Sequence, residues 1–243
     1  MAQVNDPPVR TRPQDMARAE RLPSSPRSER GIRTLNVAVA VLILIATLPI
    51  WVVVAIAIKL TSRGPIFYTQ ERVGIDVRRR SERRASGRTE VRRAADIGGR
   101  PFTILKFRTM RVDAEADGGA VWAAANDDRL TLVGGFLRSC RADELPQLLN
   151  VIRGEMNLVG PRPERPQLFS ELRVKVPDYQ KRQRVPPGIT GHAQVHLQYD
   201  TSVEDVKRKV QHDLEYISKR TVWEDLRIMV KTIPVMLFRK GGW

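Results

Sequence analysis

The sequence has one cysteine, Cys140, in 243 residues. A lone thiol excludes an internal disulfide and any cysteine-rich zinc module, and it suits a reducing, cytoplasmic setting. Acidic residues are also scarce: 27 Asp and Glu against 42 Lys and Arg leave a formal charge of +15. Such a surplus calls for an anionic partner, whether a phosphorylated substrate, the anionic face of a membrane or a nucleic acid. Of these, nucleic acid has the least support, since no recognition helix or aromatic-interleaved basic strand is visible. There is no His-Glu-x-x-His pattern to give His192 and His196 a zinc-enzyme reading. No secretory signal is expected, because the first apolar run begins late and no small-residue cleavage site follows it. Residues 1–34 lack apolar periodicity and read as a flexible basic tail.

What the chain does have is an uncharged apolar run from Val37 to Ile58. Its length matches the roughly 20 residues that cross a hydrocarbon core. Pro49 falls near its middle and removes a backbone donor there. Arg27, Arg30 and Arg33 precede the run, and Lys59, Arg63 and Arg72 follow it. Positive flanks favour the cytoplasmic side, so both ends want the same side. A re-entrant helix over 35–60, broken at Pro49, meets that demand better than a straight span.

The remainder, 61–243, reads as one cytoplasmic domain. Ile66–Gln70 and Phe102–Phe107 are strand candidates that could pair as a hairpin. The arginine-rich stretch at 78–98 between them is either a solvated loop or a contact for acidic headgroups. An acidic cluster follows at Asp113, Glu115 and Asp117. Asn126-Asp127-Asp128 suits a cap or a metal, capping being the commoner use. Gly160-Pro161-Arg162-Pro163-Glu164 is a rigid loop that suits a substrate clamp or a plain connector. Leu168, Phe169 and Leu172 suggest a helix. After the tight loop 185–191, the alternation of Ala193, Val195 and Leu197 reads as a strand, which weakens a metal role for His192 and His196. Ser202 and Asp205 open a helix carrying Val206, Val210, Leu214 and Ile217 on one face. A basic amphipathic segment runs from Trp223 to Phe238 and suits either the domain surface or the membrane interface. The fold class is α+β, predominantly helical, with a short β-hairpin and amphipathic interfacial helices.

The chemistry concentrates between Phe136 and Glu164. Asp143 and Glu144 stand together among Arg138, Arg141, Arg153 and Arg162. Carboxylates ringed by guanidinium groups can serve as a nucleophile or metal ligands awaiting a polyanion. A salt-bridged, solvated helix has the same composition. Pro146 suits a first helical turn and puts the acid pair at a helix N-terminus.

Several separated stretches resemble one family in its order: the apolar run broken by Pro49, GPIFYTQERVG at 64–74, GRPFTILKFRTM at 99–110, LRSCRADELPQLLNVIRGEMNLVGPRPE at 137–164, VPPGITGHAQV at 185–195 and YDTSVEDV at 199–206. The chain is similar to the bacterial sugar transferases, the monotopic phosphoglycosyl transferases. This resemblance implies transfer of a sugar 1-phosphate from a UDP-sugar to a polyprenyl phosphate such as undecaprenyl phosphate, with release of UMP. It implies Mg²⁺ held by Asp143 or Glu144, Asp143 as nucleophile with Glu144 its partner, and a covalent aspartyl-phosphosugar intermediate. Lys106, Arg138, Arg162 and Glu164 match positions expected to contact phosphate and substrate. The implied place is the cytoplasmic face of the bacterial inner membrane, at the first membrane step of exopolysaccharide, capsule, O-antigen or glycoprotein glycan synthesis. Self-association is left open. Two departures stand out, the insertion at 78–98 and His192 where an apolar or aromatic residue is usual. The competing classes are a membrane-tethered nucleic-acid binder and a scaffold that has lost activity.

Overall fold

The computed structural model describes residues 26–76, 98–112, 114, 127–197 and 202–238. Helices dominate it. Helix α1 (Pro26–Thr61) starts nine residues before position 35, within the expected tail, and runs through Pro49 without interruption. Its early start has a physical cause. Arg33 donates to the carbonyls of Met156 at 2.9 Å and Ile152 at 3.3 Å and to that of Val151, and Ile32 is buried. One turn on, Asn36 donates to Asp225 at 2.8 Å and accepts from the Leu158 N–H at 2.7 Å. These contacts repay the ordering of a segment whose own composition could not.

At its other end α1 buries Val54 and Ile58 against Phe107 and Leu137, with Trp51 edge-on to Phe107. Arg108 donates to the carbonyls of Ser62 and Arg63, closing the turn after the helix. Between the two anchored ends, Leu42, Ile45, Leu48, Val53 and Ile56 are exposed. An apolar stripe of this size on a helix this long is compatible with membrane association.

The expected hairpin is present. Strands β1 (Phe67–Val73) and β2 (Pro101–Phe107) pair antiparallel from Phe67 opposite Phe107 to Val73 opposite Pro101. Gly74 and Arg100 extend the ladder, with the Gly74 N–H on the Arg100 carbonyl at 2.9 Å. The insertion between the strands lies outside the described residues at 77–97, as do Asp113, Glu115 and Asp117. Asp127 accepts from the Arg129 N–H at 3.1 Å and forks onto its guanidinium, so it shapes a turn.

Helices α2 (Leu132–Ser139) and α3 (Gln147–Arg153) flank the acid pair, and strand β3 (Asn157–Val159) follows. Helix α4 (Pro166–Lys175) buries Phe169 and Leu172 as their spacing suggested. Strand β4 (Gly188–Thr190) lies parallel to β3, which sequence reading left as loop. The two strands meet where backbones nearly touch: a Cβ on Gly160 would overlap the Pro186 carbonyl. The alternation after it is not a strand. His192–His196 form a short helix, α5, closed by the Val195 N–H on the Gly191 carbonyl. Five residues are too few for periodicity to separate the two, and the backbone hydrogen bonds decide for helix, the Leu197 N–H meeting the Ala193 carbonyl at 2.8 Å just after the Gly191 bond. Helix α6 (Val203–Lys219) begins at the expected Ser202 cap, and α7 (Val222–Phe238) completes the described chain.

Candidate active site

The acid pair owes its position to three local choices of sequence. Gly134 lets α2 press onto the chain after β2, since a Cβ there would overlap the Thr109 carbonyl. Arg141 adopts the left-handed conformation, φ 59° and ψ 14°, turning the chain sharply out of α2. A 3₁₀ turn, Ala142–Glu144, then leads through Pro146 into α3. Asn150 locks α3 to β2 by accepting from the Leu105 N–H at 3.1 Å and donating to the Thr103 carbonyl at 2.7 Å. Lys106, the next residue on β2, is thereby aimed at the turn.

Lys106 Nζ stands 3.0 Å from Glu144 Oε1 and 3.8 Å from Asp143 Oδ2. Arg162, delivered by the loop after β3, meets the same Glu144 Oε1 at 2.6 Å. Both cations thus converge on one oxygen. Among the described residues, none donates a hydrogen bond to Glu144 Oε2 or to the Asp143 carboxylate. Both residues are buried, at 6% and 7% exposure, yet the cations beside them are more open, Arg162 at 28% of its side chain. The open side of the cluster is therefore the side from which an anion can arrive.

The two carboxyls are set apart electrostatically. Burial, the largest influence on Asp143, raises its pKa, and the charge of Glu144 adds to the rise against the pull of Lys106, Arg138 and Arg162. Burial also opposes ionisation of Glu144, but Arg162 and Lys106 outweigh it and hold that carboxyl well below the usual range. One acid is a fixed anion tied to its cations, and the other is a more basic, less engaged carboxylate. That division suits an anchor beside a nucleophile.

Of the expected substrate contacts, Lys106 and Arg162 join the acid pair. Arg138, on the last turn of α2, acts on Asp143 through its field without a hydrogen bond or ion pair to it. Glu164 goes elsewhere. Its carboxylate meets Lys209 of α6 at 3.0 Å and Arg182 at 3.9 Å, and its carbonyl accepts from the Val73 N–H at 2.9 Å. Arg182 in turn donates to Asp213 at 2.7 Å and to the Arg162 carbonyl at 3.1 Å. This second cluster holds the loop that presents Arg162, and Arg72 reinforces it by donating to the Pro163 carbonyl at 3.2 Å. Sequence reading had no means to find Asn150, Arg182, Lys209 or Asp213; a polar Asn inside the apolar run of α3 is the one local signal among them.

A profile of the bacterial sugar transferases matches residues 28–239. This chain belongs to that family. Family members of assigned activity include a UDP-glucose:undecaprenyl-phosphate glucose-1-phosphate transferase of Caulobacter vibrioides, 39% identical over 84% of this chain and 69% of that protein. An undecaprenyl-phosphate glucose phosphotransferase of Komagataeibacter xylinus is 37% identical over 87% of this chain but 36% of its own length. A UDP-N-acetylgalactosamine-undecaprenyl-phosphate N-acetylgalactosaminephosphotransferase of Aeromonas hydrophila is 36% identical over 86% of this chain and 44% of its own. The chain thus spans less than half the length of the last two, and the family members differ in the sugar their names carry.

Proposed function

We propose that this protein transfers a sugar 1-phosphate from a UDP-sugar to undecaprenyl phosphate, releasing UMP, through a covalent intermediate on Asp143. The observation that carries the mechanism is the asymmetry of the acid pair: Lys106 and Arg162 both meet Glu144 on one oxygen, while Asp143 is more basic, adjacent and, among the described residues, without a hydrogen bond. In the first step an Asp143 oxygen forms a bond to the sugar-linked phosphorus as the bond to UMP breaks. In the second, an oxygen of the polyprenyl phosphate attacks the same phosphorus and returns Asp143 as a carboxylate. Lys106 and Arg162 lower the cost of bringing a diphosphate to an anionic cluster, and Arg162 is exposed enough to fork onto phosphate oxygens.

Mg²⁺ fits the donor set. Hard oxygen donors remain on Asp143 and on Glu144 Oε2, with phosphate oxygens and water to complete a shell. When bound it neutralises charge on the diphosphate.

The membrane assignment rests on α1. Both of its ends pack on the same domain, Arg33 and Asn36 against β3 and Val54 and Ile58 against β2 and α2, while its middle exposes an apolar stripe. Shared packing of both ends supports a re-entrant path, with a bend of the continuous helix at Pro49 in place of the expected break, that keeps the catalytic domain at the cytoplasmic face of the inner membrane, where the acceptor's phosphate lies.

The test is UMP release by detergent-solubilised protein with Mg²⁺, undecaprenyl phosphate and a panel of UDP-sugars. Lipid-dependent turnover with one donor, abolished by Asp143→Asn, establishes the reaction. Failure of every donor, or an Asp143→Asn protein that turns over normally, removes it.

A further inference from the structure

The sequence contains three histidines, and the fold brings all of them together. His192 and His196 share a face of α5, and His212 reaches them from α6; one ring nitrogen of each lies within 4.8 Å of one from each of the others. Chance gathering of a chain's whole histidine complement needs an explanation, and two are available. Either the rings are packing groups that stack on one another, as their 4.3–5.7 Å centroid spacings allow, or their nitrogens form a site.

The nitrogen geometry favours a site. His196 Nδ1 lies 2.8 Å from the His192 carbonyl, an oxygen that can only accept, so Nδ1 carries the ring proton and Nε2 is left with a lone pair. A histidine whose far nitrogen is tied to a backbone carbonyl is the usual orientation of a metal ligand. That lone pair already faces a cation, since Lys231 Nζ of α7 stands 3.3 Å from it. His192 Nδ1 and His212 Nδ1 are 3.3 Å apart. Two nitrogens bound tetrahedrally at roughly 2.0–2.1 Å from one ion stand about 3.3–3.4 Å from each other, so this pair needs little rearrangement to share one. Glu215, one turn beyond His212, lies within electrostatic reach of both His192 and His212 and offsets part of the charge an ion would add.

We propose that His192, His196 and His212 form a binding site for one divalent transition-metal ion of the Zn²⁺ class, separate from the acid pair. Imidazole selects such ions over Mg²⁺, which prefers oxygen. The site ties α5 to α6, with Lys231 of α7 as the cation that gives way. Its place gives it consequence. β4 leads directly into α5 and pairs with β3, which runs into the Arg162 loop, and α6 carries Lys209 and Asp213 beside His212. An ion there braces the frame that presents Arg162 without touching the reacting groups.

The experiment uses full-length, tag-free protein in detergent, stripped with a chelator and titrated with Co²⁺ as a visible-absorbing stand-in for Zn²⁺. One equivalent is expected to bind with ligand-field bands of a nitrogen-rich site, and Zn²⁺ is expected to displace it and raise the Tm. His196→Ala and His212→Asn should each weaken binding by at least roughly tenfold, and the Zn²⁺-dependent Tm rise should disappear. Asp143→Asn should bind Co²⁺ as wild type does, and Lys231→Gln should bind it more tightly. Should buried His212→Asn not fold, half-buried His196→Ala decides the matter. No uptake of equimolar ion by wild type, uptake unchanged in His196→Ala, or uptake lost in Asp143→Asn overturns the site and leaves a stack of imidazoles.

Discussion

Two clusters in this protein are built from the same four residue types. The first joins Asp143, Glu144, Lys106 and Arg162; the second joins Asp213, Glu164, Lys209 and Arg182, and the Arg182 guanidinium donates to the Arg162 carbonyl between them. In both, burial raises the Asp and the cations pull the Glu down. Shifted ionisation alone therefore does not mark the active site. What differs is closure. Asp213 takes a direct 2.7 Å bond from a guanidinium that is 1% exposed, whereas Asp143 has its nearest cation at 3.8 Å and neighbours open to solvent. A closed quartet is framework, and an open one keeps valence for a ligand.

The largest effect expected from this contrast is Asp143→Asn. Removing the proposed nucleophile should lower turnover by at least roughly a thousandfold. Stability should be unchanged or higher, because the substitution deletes a charge whose burial is unfavourable. Denaturant unfolding of the same preparation checks this, and a destabilised Asp143→Asn would place the first cluster with the framework.

Arg182→Met should do the reverse. It strands Asp213 in the interior and should cost about 3–5 kcal/mol of stability. Activity should fall with the folded fraction and through misplacement of Arg162. If Arg182→Met unfolds no more easily than wild type, the second cluster is not the frame described here.

Much of this was readable in advance. Ser202, Pro146 and the short apolar and aromatic runs of β1 and β2 announce themselves because caps, fixed φ and strand propensity are local properties. The acid pair was legible as a motif, and Lys106 with it. The second cluster was not, because Glu164, Arg182, Lys209 and Asp213 are scattered over fifty positions of sequence with no shared period. Glu164 in particular reads as a substrate contact beside Arg162, while in the fold it turns towards α6. The start of α1 was misjudged for a like reason: nothing near Arg33 in sequence reveals the carbonyls of α3 and of Met156, just before β3, that hold it. His192 and His196 read as a weak pair until α5 proved helical and α6 supplied the third ring.

Glu164 allows a pH test of the frame. Its carboxyl is held down to about 2 from an ordinary 4.5; burial works against this, and Lys209 and Arg182 prevail. A depressed carboxyl contributes stability that is complete above the unfolded value and is lost as pH falls through the window from 4.5 to about 2. The contribution is about 3 kcal/mol at neutral pH. Wild type should therefore exceed Glu164→Gln in unfolding free energy at pH 7, with the gap closing on acidification. A gap that stays constant from pH 7 to pH 3 would separate Glu164 from its cations.

The smallest effect expected belongs to Arg138, which touches neither carboxyl yet lowers the Asp143 pKa through its field. An acidic limb in the pH profile of kcat/KM reports the ionisation of the free enzyme's nucleophile. Arg138→Gln removes a positive charge, so it should move that limb to higher pH, by less than about one unit because the partner is not in contact. At pH values above the limb, turnover should be close to wild type if Arg138 acts only on Asp143, and reduced together with a raised KM if it also meets the donor's phosphates. The two outcomes divide the open side of the first quartet into what tunes Asp143 and what receives the substrate, a division that the closed quartet, with its carboxylates already met from within the protein, does not offer.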